Sequence, residues 1–160
     1  MPENIERITG KLDGRKLRIG IVVSRWNREI TDDLLRGALR ALEVCSVPRE
    51  NIKLLEVPGA MEIPIAASVL ISERVDAIIA IGCVIKGETA HFDHVGRTAL
   101  DGIARLSMRT GIPVTCAILT TYDTDQARAR SGLDDDNAGS QAALAAVEVA
   151  NLIDSFRQDF

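Results

Sequence analysis

Contiguous apolar runs alternate with stretches of helical period along this chain, and polar turns separate them. Ile19-Gly20-Ile21-Val22-Val23 is β-branched and almost wholly apolar, the pattern of a strand covered on both faces. It ends in the polar turn Ser24-Arg25-Trp26-Asn27. A helix is predicted from Thr31, with Asp32 and Asp33 in a first turn where the helix dipole favours carboxylates. Its apolar positions, Leu34, Leu35, Ala38, Leu39 and Leu42, keep a helical period. A second strand runs from Ile52 to Val57 and breaks at Pro58-Gly59, and a helix follows from about Ile63 to Ile71. The longest apolar strand, Ala77 to Ile85, leads through Lys86-Gly87-Glu88-Thr89 into a helix from His91 to Met108. Gly111-Ile112-Pro113 restarts the chain into a strand from Val114 to Leu119 and a short helix from Asp125 to Arg130. The Asp-rich turn Asp134-Asp135-Asp136-Asn137 then precedes a last helix from Ser140 to Phe156.

Alternating strands and helices with right-handed crossovers predict a parallel sheet between two helix layers. The expected fold is therefore α/β: a single-domain, three-layer α/β/α sandwich with a flavodoxin-like parallel four-stranded sheet. One domain is expected over residues 1–160, with residues 1–16 as an N-terminal extension. The last helix is apolar over more than one sheet-facing stripe (Ala142, Leu144, Ala145, Val149, Leu152 and Ile153 among others), so part of it is expected to pack on another subunit.

Composition narrows the class. Aromatics are 3% of the 160 residues and apolar residues 46%, so the core is aliphatic. A formal charge of −4 argues against nucleic-acid or anionic-membrane partners, which need clustered Lys and Arg. Cys45, Cys83 and Cys116 share no close spacing, so neither a disulfide framework nor a zinc site is expected, and a reducing cytoplasm is. The first 16 residues lack the apolar core of a signal peptide, and no run approaches the ~20 apolar residues of a membrane span.

In an open α/β sheet, ligands bind beyond the carboxyl ends of the strands. Those ends deliver Trp26, then Pro58-Gly59-Ala60-Met61-Glu62, then Lys86 to His91, then Thr120-Thr121 with Arg130 soon after. Trp26 is either a cap over the sheet's end or a platform for a flat ring. Glu62 is either a carboxylate serving the helix dipole or an acceptor for sugar hydroxyls. Gly87-Glu88-Thr89 precedes a helix whose free N–H groups suit an anion such as phosphate, and Arg130 is either its bidentate partner or a solvated surface group. His91 and His94 share one helix face, and three readings are open: proton transfer by His91, a metal pair without a third ligand, or surface imidazoles. Cys83, inside an apolar strand, reads as a small hydrophobe rather than a nucleophile. These residues point to a flat, hydroxylated, phosphate-bearing ligand without naming a reaction.

The same turns carry a family resemblance. Ser24 to Asn27, Val57-Pro58-Gly59-Ala60-Met61-Glu62-Ile63-Pro64, Ala80 to Phe92, and Leu119-Thr120-Thr121 with Asp125-Gln126-Ala127 are together similar to the motifs of lumazine synthases. The likeness runs in order from about Leu17 to Leu152. It implies condensation of a ribitylaminopyrimidine with 3,4-dihydroxy-2-butanone 4-phosphate in riboflavin synthesis, without metal or organic cofactor. By that resemblance Trp26 stacks on the pyrimidine, and Ala60, Met61 and Glu62 hold the ribityl chain. Cys83, Val84 and Ile85 present backbone groups to the ring edge, Glu88 and Thr89 lie in the phosphate turn, and His91 transfers protons. Cys116 and Arg130 match positions supplied by a neighbouring subunit, Arg130 for the phosphate.

Two positions depart from the family pattern. Cys116 stands where an aromatic is common, and the loop Gly132 to Gly139 holds three aspartates and no lysine. The resemblance implies a homo-oligomer, as a pentamer or a capsid of pentamers, with sites at subunit interfaces. A flavin- or lumazine-binding relative with little turnover, and a shell-forming structural protein, are the alternatives.

Overall fold

A computed structural model describes residues 4–158; the first three and last two residues of the expected 1–160 domain lie outside that range. Four strands, β1 (Ile19–Ser24), β2 (Ile52–Val57), β3 (Ala77–Ile85) and β4 (Val114–Thr121), form one parallel sheet in the order β2-β1-β3-β4. The α/β/α sandwich read from the sequence is the fold observed. Among the described residues, five α-helices connect and follow them: α1 (Arg28–Val44), α2 (Ile63–Ser72), α3 (His91–Thr110), α4 (Thr124–Ser131) and α5 (Ala138–Gln158).

Side chains alternate across a strand, so each inner strand feeds both layers. Ile19, Ile21 and Val23 of β1, with Ile79, Ile81 and Cys83 of β3, pack beneath α1 and α5. Val22, Ile78 and Ala80 face the other way, onto Ile63, Ala67 and Leu70 of α2 and Ala99 and Ile103 of α3. Covering on both sides is the physical reason these strands read as unbroken apolar runs.

The predicted start of α1 is corrected. The helix begins at Arg28 rather than Thr31, so Glu29 is its first-turn carboxylate and Asp32 and Asp33 lie deeper. Its N-cap, Asn27, is left-handed (φ 57°, ψ 48°) and makes no side-chain cap. The last helix likewise begins two residues earlier than expected, at Ala138.

Small residues let α1 and α5 meet at backbone distance. A Cβ on Gly139 would stand 1.9 Å from the carbonyl oxygen of Leu34. The end of the Asp-rich turn secures this junction. Asn137, 1% exposed, donates through Nδ2 to Asp33 O (3.1 Å) and Ser131 O (3.0 Å), and its Oδ1 accepts from Ser140 N (2.9 Å). The segment before β1 lies along α5, where Asn151 Nδ2 donates to Lys11 O and Asp13 O at 2.6 and 2.9 Å.

α2 is apolar nearly all round, yet it buries only Ile63, Ala67 and Leu70. Ile65 and Val69, one turn apart on its outer side, are 68% and 55% exposed. A helix without a polar face is ordinarily enclosed. The apolar excess that the sequence draws attention to on α5 is only partly exposed here, and the more open apolar face belongs to α2.

Candidate functional site

The strand order reverses between β1 and β3, and at that switch point ligands enter the crevice beyond the strand ends. A cavity of about 470 Å³ opens there. Three connections that leave the sheet at its carboxyl edge build it.

The turn after β1 supplies Trp26. Arg25 N donates to Val57 O (2.8 Å) and Trp26 N to Pro58 O (3.1 Å), so the turn is pinned to the end of β2. Trp26 lines the cavity and is 71% exposed, whereas an indole capping the sheet would be largely buried. A Cβ on Gly59 would come within 3.3 Å of Trp26 Cδ1, so glycine there leaves room for the ring.

The turn after β2 supplies Gly59, Ala60, Met61 and Glu62, all on the cavity wall. Glu62 Oε2 accepts the Gly59 N–H at 2.9 Å, which fixes the turn and occupies one carboxylate oxygen. The turn after β3 supplies Gly87 and Thr89, then His91 and Phe92 from the first turn of α3. Thr89 Oγ1 accepts the His91 N–H (3.3 Å), tying the histidine's backbone to the turn. His94 is exposed and does not line the cavity. Among the described residues, no group of three or more His, Cys, Asp or Glu side chains is placed to hold a metal ion.

Cys83, Val84 and Ile85 line the cavity at the end of β3. The Cys83 side chain packs into the α1–α5 core at 3% exposure, and burial pushes its thiol from the usual 9.0 up to about 11. It is therefore a neutral thiol at physiological pH, not a nucleophile. The folded state holds this proton more tightly than the unfolded chain. Its contribution to stability is thus complete below pH 9 and lost as pH rises through about 11. At pH 8, iodoacetamide is expected to leave Cys83 unmodified in the folded protein and to modify it after unfolding, as read by peptide mass spectrometry. Modification at the rate of a free cysteine would contradict this burial.

Three expected site residues are not on this cavity. Glu88 is exposed in the turn before α3. Cys116 is exposed midway along the edge strand β4, in register with Ala80. Arg130, on α4, donates to Gln141 Oε1 (3.0 Å) and lies 3.9 Å from Asp136 Oδ1. Gly59 and Gly87 line the cavity within turns that the sequence already points to, whereas Asn27, Phe92 and Val95 line it although the sequence assigns them no role. The strand-end rule that finds Trp26 reaches Asn27 and Gly59 too. Val95 follows from the helix face that His91 occupies, one turn on, whereas Phe92 is the next residue of the first turn and lies one turn before Val95.

A doubly wound sheet with an open cleft at its switch point, walled by an aromatic ring, a carboxylate turn and a histidine-bearing helix start, defines a small-molecule-handling protein of the α/β class. The sequence is more particular. The model of the 6,7-dimethyl-8-ribityllumazine synthase family matches residues 16–154, and the chain belongs to that family. A 6,7-dimethyl-8-ribityllumazine synthase of Kosmotoga olearia is 46% identical to it over 144 residues, which span 89% of this chain and 92% of the relative.

Proposed function

We propose that this chain is a transferase that condenses 5-amino-6-(D-ribitylamino)uracil with 3,4-dihydroxy-2-butanone 4-phosphate to give 6,7-dimethyl-8-ribityllumazine. The observation that supports this most is the convergence of three family motifs on one cavity, through Trp26, the Ala60–Glu62 turn and His91. The chemistry balances as an imine between the 5-amino group and the ketone with loss of water, elimination of phosphate, and closure of the second ring with loss of a second water. Two reactants held side by side account for most of the acceleration. Trp26 stacks on the pyrimidine, Ala60, Met61 and Glu62 receive the ribityl chain, and the end of β3 from Cys83 to Ile85 meets the ring edge, with backbone groups from Cys83 and Ile85 and with Val84 on the cavity wall. Glu88 and Thr89 form the phosphate turn, and His91 moves protons between nitrogen, carbon and oxygen atoms of the intermediates.

Cys116 and Arg130 are assigned to the cavity of a neighbouring subunit. The uncovered apolar face of α2 supports assembly into a homo-oligomer, and the family resemblance favours pentamers or a capsid of pentamers. Purified protein mixed with both substrates is expected to develop lumazine absorbance and release phosphate stoichiometrically. Native mass measurement is expected to give a multiple of the 17.3 kDa chain. Tight riboflavin binding without product would favour a lumazine-binding relative instead, and a monomer would remove the shared site.

Arg130→Ala is expected to raise KM for the butanone phosphate about 10- to 100-fold, the worth of a charge-assisted contact, and to leave pyrimidine affinity unchanged. An unchanged KM for that substrate would withdraw Arg130 from the site.

A further inference from the structure

β1 pairs with β3 only as far as Val23 opposite Ile81, while β3 continues to Ile85 along β4. The last residues of β3 therefore have a strand on one edge and the crevice on the other. Backbone groups of successive residues in a strand point to alternate edges. Lys86 N donates to Thr121 O of β4 (2.9 Å), so Cys83 and Ile85 turn their N–H and C=O groups toward the crevice.

One side chain stands in for the missing strand. Asn27 Nδ2 donates to the Cys83 carbonyl at 2.9 Å, across 56 residues of sequence. Asn27 is the N-cap of α1, where an Asn normally bonds its own helix; here it makes no such bond. Its left-handed backbone is a conformation that Asn tolerates better than most residues. The amide is thus diverted from capping to bracing. Through the turn pinned to Val57 and Pro58, it links the ends of β1, β2 and β3 around the cavity that it also lines.

We infer that Asn27 is a positioning residue for ring recognition: its amide N–H, by holding the Cys83 carbonyl, keeps the free backbone edge at Ile85 aligned for a planar donor–acceptor ligand stacked on Trp26. The inference rests on the pyrimidine-binding reading above and deepens it. It separates the two ends of the Asn27 amide. The N–H organises the protein, and the oxygen is dispensable.

Two variants test it. Asn27→Asp keeps the side-chain oxygen, the size and the tolerance of positive φ but replaces the donor with a second acceptor; Asn27→Gly keeps only the backbone. Binding of the ribitylaminopyrimidine is read by fluorescence of Trp26, the chain's one tryptophan, and turnover is followed alongside. Both variants are expected to bind the pyrimidine about tenfold more weakly, the equivalent of one net hydrogen bond, with KM for the butanone phosphate unchanged. Hydrogen exchange at Cys83 to Ile85 is expected to quicken in both without a matching change elsewhere in β3. Wild-type affinity in Asn27→Asp with loss in Asn27→Gly would mean that the oxygen contacts the ligand directly, and would overturn the inference. So would wild-type affinity in both, or equal loss of affinity for both substrates. Failure of the wild-type protein to bind the pyrimidine would strike the functional reading instead.

Discussion

Replacing His91 with alanine is expected to lower kcat about 100-fold while each KM stays within a few-fold of wild type. Imine formation, phosphate elimination and ring closure each move protons at nitrogen or carbon, and imidazole is the side chain suited to both directions near neutral pH. His91 lies at the cavity on the first turn of α3, its backbone tied to Thr89, and its loss leaves Trp26 and the Ala60–Glu62 turn in place. The loss is set at the low end of general acid–base contributions because co-binding of the reactants remains. Single-turnover absorbance separates chemistry from binding, and His94→Ala, off the cavity, is expected to stay within twofold. A His91 variant within threefold of wild-type kcat would hand the proton transfers to solvent or another group.

Gly139→Ala is expected to cost about 3 kcal/mol of stability, from overpacking. The new methyl would sit 1.9 Å from Leu34 O and 2.7 Å from Leu34 C, and both are backbone atoms of α1. A flexible side chain could swing aside; a helix must move bodily, and Asn137 ties it to α5 at the same level. For a chain of this length the loss corresponds to a drop in Tm of about 6 to 12 °C. Gly87→Ala serves as the control, because a Cβ there meets nothing within 4 Å, and its Tm is expected to move by about 1 °C or less. Equal melting of the two variants would show that α1 and α5 can separate without penalty.

Most of the fold is legible in the sequence because the sheet is sandwiched. Covered strands such as Ile19–Ser24 and Ala77–Ile85 must be apolar on both faces, and the polar turns between them are where the crevice opens. The start of α1 is not legible, for a physical reason. Thr31-Asp32-Asp33 resembles a helix entry, while the true entry passes through a left-handed Asn27 whose side chain is committed to Cys83. Such a commitment between residues far apart in sequence leaves no local trace. Trp26, Glu62 and His91 are legible as strand-end residues, and the structure brings them to one cavity. Cys116 and Arg130 cannot be gathered there by one chain, since edge strand β4 and helix α4 hold them off the cavity lining.

The outer side of α2 also changes what a melting curve of this protein measures. If Ile65 and Val69 are buried only by a second molecule, every subunit added removes hydrocarbon from water, and the folded chain is drawn forward by mass action. Heat resistance then rises with protein concentration, and a dilute sample softens at a lower temperature than a concentrated one of the same sequence.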